Sequence, residues 1–139
     1  MIKRISHVTV YVLDQDSAKA FYTEKLGFTL TGDADMGDGI RWLTATPPGQ
    51  PDVEFILADC RMGHDAETAE QLRALVAKGA LGPGVLATED CQKTYEELSG
   101  RGVTFVQPPT ERFYGIEALL RDDSGNWFSL SQRSAAPSA

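Results

Sequence analysis

The 139-residue chain lacks a hydrophobic run of the roughly 20 residues that a membrane-spanning helix needs, so we expect no membrane partner. Its two cysteines, Cys60 and Cys91, form no CxxC pair, which excludes a disulfide framework. The chain also lacks a basic excess, since 13 Lys and Arg residues against 20 Asp and Glu give a formal net charge of −7. A nucleic-acid backbone is therefore not expected as the main partner.

Patterns for secretion and for nucleophilic chemistry are also missing. The N-terminus passes directly into an alternating strand pattern without a signal peptide, so we expect a cytoplasmic protein. There is no serine elbow and no phosphate-binding glycine loop, because no helix pattern follows Gly37-Asp38-Gly39. With 42% hydrophobic and 24% charged residues, the composition is typical of a globular domain with a core.

The first half of the chain predicts a strand, a helix and three further strands. Residues 6–13 alternate with period two, with valines on one face and His7 and Tyr11 on the other. Residues 14–26 have helical spacing, with Asp16 or Ser17 as the cap, and Gly27 is expected to end the helix in a left-handed conformation. The pattern then predicts strands at 28–31, 40–46 and 53–57, and an acidic loop at 32–39.

The second half repeats this order. A strand at 84–88, a helix that opens at Asp90 and ends before Gly102, and strands at 103–106, 116–121 and 127–131 form the second unit. A helix over 65–78 links the halves. We therefore predict one domain over 1–139, built from two β-α-β-β-β modules (about 1–60 and 82–132) and a tail at 133–139.

Four segments resemble the vicinal oxygen chelate superfamily, which contains glyoxalase I, bleomycin-resistance proteins, fosfomycin-resistance enzymes and extradiol dioxygenases. They are HVTVYV at 7–12, AFYTEKLGF at 20–28, YEELSGRGV at 95–103, and Tyr114-Gly115 with DDSGN at 122–126. The resemblance implies an α+β fold in which the two modules form an open, cup-shaped mixed sheet with the helices outside. It also implies a small-molecule ligand in the cup, and we expect a homodimer because one short chain cannot complete the cup wall.

The resemblance further implies four metal-ligand positions, of which this sequence fills two. The two filled positions are His7 and Glu54. The third position falls near 83–84, where there is neither a histidine nor a carboxylate, and the fourth falls on Ser129. Since a divalent ion needs three or four ligands, we expect no metal cofactor, and His7 and Glu54 remain the candidates if a metal binds. His64, the other histidine, is expected to be exposed at the start of the linker helix.

His7 has two further interpretations, as a buried polar residue with a hydrogen-bond partner and as a ligand contact without a metal. Trp127 shares a strand face with Ser129, so we expect its indole to point into the cup. Replacing it with alanine should then weaken binding by about tenfold or more without unfolding the protein.

The remaining candidates are aromatic or polar residues near the cup, and aromatic walls suit planar or apolar ligands. Arg41 and Arg112 can orient a ligand, but Arg41 and Trp42 are adjacent, so at most one of them enters the cup. The alternative is that the rings only fill the cup and the dimer seam. The expected ligand-binding residues are His7, Tyr11, Trp42, Glu54, Phe113, Tyr114, Trp127 and Ser129.

These features favour a small-molecule-binding protein of the bleomycin-resistance type, which sequesters an aromatic or amphipathic natural product without a metal. The alternative is a glyoxalase-like lyase or dioxygenase that uses a divalent metal at an incomplete site of His7 and Glu54. A third hypothesis is an enzyme without a metal, in which one of these two residues is the general base.

Overall fold

The computed structural model describes residues 1–134, and the predicted tail at 133–139 lies outside this range except for its first two residues. Two β-α-β-β-β units are connected by a helix. The elements are β1 (His7–Val12), α1 (Gln15–Ala20) with a π-helical turn (Phe21–Lys25), β2 (Thr29–Asp35), β3 (Arg41–Thr46), β4 (Glu54–Asp59), α2 (Ala66–Ala77), β5 (Gly84–Ala87), α3 (Cys91–Gly100), β6 (Thr104–Arg112), β7 (Gly115–Arg121) and β8 (Trp127–Arg133).

The strands form two four-stranded sheets, with the orders β1-β4-β3-β2 and β5-β8-β7-β6. In each sheet the first and last strands of the module pair in parallel, and the other neighbours are antiparallel. This arrangement confirms the predicted α+β fold with two modules and open mixed sheets. No helix in the described part of the chain is long and apolar enough to cross a membrane.

One hydrophobic core serves both modules. Alternate residues of the strands, such as Val10, Leu43 and Leu120, are buried in it together with residues of the helices. Phe55 of β4 and Phe128 of β8 stack with ring centres 6.3 Å apart, so aromatic packing crosses from one sheet to the other. The opposite face of each sheet points away from this core, and we call it the cup face.

A buried carboxylate in the β7–β8 turn joins the modules. Asp122 Oδ1 accepts the backbone N–H groups of Ser124, Gly125 and Asn126, each at 2.9 Å. Its Oδ2 accepts the hydroxyl of Tyr22 at 2.7 Å, and Tyr22 lies fully buried in the first module. Burial, followed by the nearby Asp122 charge and hydrogen bond, raises the pKa of Tyr22 well above its ordinary value.

Local sequence chemistry places several boundaries differently from the predictions. The cap of α1 is Asp14, whose side chain accepts the Ser17 N–H, so the prediction of Asp16 or Ser17 was wrong. Gly27 has the predicted left-handed conformation, with φ of +78°. Residues predicted as a loop extend β2 to Asp35, because they pair with β3 after a bulge near Gly32.

Candidate functional site

On the cup face of the first sheet, His7 and Glu54 form a cross-strand pair. They are aligned in the parallel β1–β4 register, and His7 Nε2 lies 2.8 Å from Glu54 Oε2. The Thr31 hydroxyl lies 2.6 Å from Glu54 Oε1 and donates to it. This hydrogen bond, and then the nearby His7, lower the pKa of Glu54 below its ordinary value, so the carboxylate is ionised at neutral pH.

His7 is accessible rather than buried. Its side chain is 35% exposed, and its Nδ1 lies 2.9 Å from the Ser6 hydroxyl oxygen. The interpretation of His7 as a buried polar residue is therefore wrong, although the expected hydrogen-bond partner exists.

Trp42, not Arg41, shares the cup face with this pair. The Trp42 and His7 rings have centres 6.1 Å apart, and Trp42 is 37% exposed. Arg41 instead contacts the carboxylates of Asp33, at 2.9 Å from its Nε, and Asp16 at the start of α1. These ion pairs hold Arg41 on the helix side of the sheet.

Tyr11 lies farther along β1 and contacts His64, with ring centres 5.4 Å apart. His64 Nδ1 lies 3.0 Å from the Cys60 carbonyl oxygen, and the residue is half-buried. The prediction of an exposed His64 was therefore wrong, because the chain after β4 turns back towards β1. A cavity of about 540 Å³ beside α2 is lined by Asp59, Arg61, His64, Ala66, Ala69, Glu70 and Arg73, and includes none of the eight predicted ligand-binding residues.

In the second module, the cross-strand pair in the parallel β5–β8 register is Val85 opposite Ser129. The family resemblance placed the third metal-ligand position near 83–84, but Val85 is the residue aligned with Ser129. Ser129 is buried, and its hydroxyl donates to Glu117 Oε2 at 2.7 Å. Sequence reasoning missed Glu117, although a single acid between apolar neighbours of β7 is a usable signal for a polar position on a strand.

Two other residues of the β6–β7 hairpin, Arg112 and Tyr114, lie near Glu117. Arg112 Nε lies 3.8 Å from Glu117 Oε1. Burial raises the pKa of Tyr114, and the nearby Glu117 carboxylate raises this pKa further. Phe113, at the tip of the hairpin, is almost fully exposed and packs edge-on against Tyr114, with ring centres 5.0 Å apart.

Trp127 lies against the linker that precedes β5. A Cβ atom added to Gly82 would lie 2.2 Å from the indole ring, so the ring rests on the backbone there. The backbone N–H of Trp127 also donates to the Leu81 carbonyl at 3.1 Å. The side chain remains 36% exposed, which leaves part of the indole open to a ligand.

Five of the eight predicted residues fall into two groups. His7, Trp42 and Glu54 come together on the first sheet, and Tyr114 and Ser129 come together around Glu117 on the second. Of the other three, Tyr11 contacts His64, Phe113 packs against Tyr114, and Trp127 lies against the linker. Within residues 1–134, no hydrogen bond, ion pair or aromatic contact joins the two groups.

The residues present do not fit the metal site that the family resemblance implies. In the described range, no three His, Cys, Asp or Glu side chains are grouped as metal ligands. The pair aligned across β5 and β8 consists of an aliphatic side chain, Val85, and a hydroxyl, Ser129. No reaction step through a metal follows from this arrangement.

Comparisons with known proteins identify the family. A family model described as the glyoxalase/bleomycin resistance protein/dioxygenase superfamily matches residues 4–130. The uncharacterized protein YetH of Bacillus subtilis (strain 168) is 35% identical over 132 residues, which cover 95% of this chain and 100% of YetH. Identity at this level over both full lengths indicates common ancestry.

Two solved structures are similar to this chain over nearly its whole length. UcmS2 is 54% identical, with a TM-score of 0.88 and coverage of 95% of this chain and 99% of UcmS2. TnmS3, described as an antibiotic binding protein from Streptomyces sp. CB03234, is 31% identical, with a TM-score of 0.75 and coverage of 96% and 98%. The predicted resemblance is confirmed, and the chain belongs to the glyoxalase/bleomycin resistance protein/dioxygenase superfamily.

Proposed function

We propose that this protein binds a planar aromatic or amphipathic small molecule on its cup faces and sequesters it unchanged, without a metal. The observation that carries the proposal is the exposed Trp42 ring beside the His7–Glu54 pair. The likeness to TnmS3, described as an antibiotic binding protein, supports a small-molecule ligand.

The physical chemistry of the first sheet suits such a ligand. An offset-stacked aromatic pair contributes about 0.5–1.5 kcal/mol beyond the area it buries, and Trp42 offers an accessible ring for this contact. His7 and the ionised Glu54 lie at the edge of the same surface, so they can orient a hydroxyl, amine or carbonyl group of the ligand. A few polar groups beside an apolar wall are typical of small-molecule sites.

The proposal includes a homodimer. In one chain the two groups of candidate residues lie on separate sheets, and the cup face of each sheet carries exposed side chains such as Trp42 and Val85. A second copy that covers these faces would enclose the ligand between subunits. Light scattering at tens of micromolar should give a dimer mass, and a monomer mass would contradict this part.

The function is tested by titrating the protein with a panel of planar compounds, with daunorubicin as the antibiotic and riboflavin as the flavin-like probe. Tryptophan quenching and calorimetry should show saturable binding, and mass spectrometry should recover the ligand with unchanged mass. Trp42→Ala should weaken binding by about tenfold, because lost burial adds to lost stacking. A ligand recovered as a product, or the absence of binding across the panel, would contradict sequestration.

A second candidate function is a glyoxalase-like lyase or dioxygenase, and the contact between His7 and Glu54 at 2.8 Å favours it. A metal-free enzyme with His7 as the general base uses the same contact, because the carboxylate orients the imidazole. Either enzyme should convert a substrate, and His7→Ala should abolish the conversion. Sequestration instead predicts no conversion by the wild-type protein.

A further inference from the structure

A second polar cluster lies on the cup face of the second sheet, and its centre is Glu117. The neighbours of Glu117 in β7, Ile116 and Ala118, pack in the hydrophobic core, so the carboxylate points away from it. Glu117 is only 17% exposed, and its Oε2 accepts the Ser129 hydroxyl at 2.7 Å. The carboxylate is therefore shielded and fixed in orientation.

This cluster has hydrogen-bonding capacity left over. Glu117 Oε1 lies 3.8 Å from Arg112 Nε, which is too far for a normal hydrogen bond. Ser131, the cross-strand neighbour of Glu117 in β8, is 3% exposed, and its hydroxyl has no partner among residues 1–134. Because Ser131 alternates with Trp127 and Ser129, its hydroxyl lies on the cup face beside the carboxylate. The Ser131 hydroxyl is itself covered, so it is the partly exposed Glu117 carboxylate that a ligand group can reach.

The charges around Glu117 favour one kind of ligand group over another. Arg112 lies beside the carboxylate, and the Arg133 guanidinium lies 5.3 Å from the centre of the Tyr114 ring. Since the Arg112 guanidinium already lies beside this anion, and Arg133 lies on the neighbouring Tyr114 ring, a cationic amine gains little attraction. A neutral hydroxyl keeps the advantage of a charge-assisted hydrogen bond to the carboxylate, which is roughly twice as strong as a neutral one.

We propose that Glu117 is a specificity-determining residue, whose Oε1 accepts a hydrogen bond from a neutral hydroxyl group on a planar ligand. Ser129 holds the carboxylate in position through its hydroxyl. The inference rests on the proposed function, since it assigns a contact to the ligand that the cup faces sequester.

The test uses 7-hydroxyflavone and 7-methoxyflavone, which share a planar ring system and differ only in the proton that can be donated. Dissociation constants are measured for the wild type, for Glu117→Gln and for Glu111→Gln, an exposed glutamate of the same hairpin that loses the same charge. Circular dichroism and urea unfolding report whether each variant is folded.

The wild type should bind the hydroxyflavone about tenfold more tightly, which corresponds to one charge-assisted hydrogen bond. Glu117→Gln should reduce this preference to about two- to threefold and change methoxyflavone binding by less than about twofold, while Glu111→Gln should leave the preference intact. If Glu117→Gln does not fold, Ser129→Ala, which frees the carboxylate from its hydrogen bond, should also reduce the preference.

Equal affinities of the wild type for the two flavones would overturn the inference, and so would an unchanged preference in Glu117→Gln. Both results leave sequestration itself standing, because the flavones would still bind. Failure of both flavones, and of the wider planar panel, to bind the wild type would instead remove the proposed function and this inference with it.

Discussion

The two modules share one order of elements but differ in the side chains on their cup faces. In the first module the residues aligned in the parallel strands are His7 and Glu54, an imidazole and a carboxylate in direct contact. In the second module the corresponding parallel strands align Val85 with Ser129, which are both neutral. A repeated backbone therefore does not repeat the chemistry, because single positions on alternating strands decide what each face can bind.

The linker adds a second difference. Two side chains of the second sheet lie against the linker backbone. The Trp127 indole at the start of β8 lies against Gly82, and the Arg121 guanidinium at the end of β7 lies against Gly79. Trp42 of the first sheet has its exposed ring beside His7 instead. The two tryptophans are equally exposed, but the second is also part of the packing between linker and sheet.

The largest effect on stability should come from removing the Asp122 carboxylate, which connects the two modules. Asp122→Ala removes five hydrogen-bond acceptor contacts and leaves the fully buried Tyr22 hydroxyl without its partner. We expect a loss of about 3–4 kcal/mol in the free energy of unfolding, measured in urea.

The matched control is Asp123→Asn, at the next residue. Asp123 is exposed, and its carboxylate accepts one hydrogen bond from Ser17 that the amide oxygen can still accept. We expect a change below about 1 kcal/mol. Similar losses in the two variants would show that Asp122 does not hold the modules together.

A smaller, double effect is expected at Trp127. Trp127→Ala should weaken planar-ligand binding by about tenfold, as expected from the strand alternation. It should also cost about 1–2 kcal/mol of stability, since the indole covers the linker at Gly82. Trp42→Ala is the comparison variant and should lose affinity with little loss of stability. If Trp127→Ala loses stability but no affinity, its ring belongs to the packing alone.

The smallest effect should be the pH dependence of the Glu54 contribution to stability. Thr31 and His7 lower the folded-state pKa of Glu54, so its contribution is present above the ordinary glutamate pKa of about 4.3 and is lost as the pH falls through the lowered value. Wild type should exceed Glu54→Gln near pH 5, and the margin should shrink as the pH falls through the lowered pKa of Glu54 and vanish in stronger acid.

Urea unfolding at each pH gives these margins, and Glu89→Gln, at an exposed position before α3, gives the baseline for the loss of one negative charge. A margin that widens as the pH falls below about 5 would mean that Glu54 is stabilised in its protonated form, against the geometry of the Thr31 and His7 contacts.

Short-range patterns predicted most of the fold. Alternation located the strands, and Gly27 marked the end of the first helix through its left-handed conformation. The boundaries that failed depend on pairing with distant residues. The acidic residues after Thr31 looked like a loop, but they continue β2 because Asp33 is neutralised by Lys19 and Arg41. Likewise β6 extends to Arg112 through Pro108 and Pro109, with irregular pairing to β7.

The candidate site was also predictable only in part, because local alternation gives the strand faces but not the contacts between distant residues. Alternation placed His7 on a shared face, but the choice between Arg41 and Trp42 needed the ion pairs of Arg41 with Asp33 and Asp16. Glu117 escaped attention because its significance depends on Ser129, a cross-strand contact that no local pattern encodes. The assignment of these residues to ligand binding remains a prediction.

Native mass spectrometry with metal analysis on unchelated protein tests most directly the claim that the unlike cup faces bind a ligand instead of a metal. The account predicts a dimer that carries less than about one-tenth of an equivalent of Zn, Ni, Mn or Fe per chain, and that takes up an added planar ligand without altering its mass. About one metal ion per chain, lost together with an activity in His7→Ala, would contradict it.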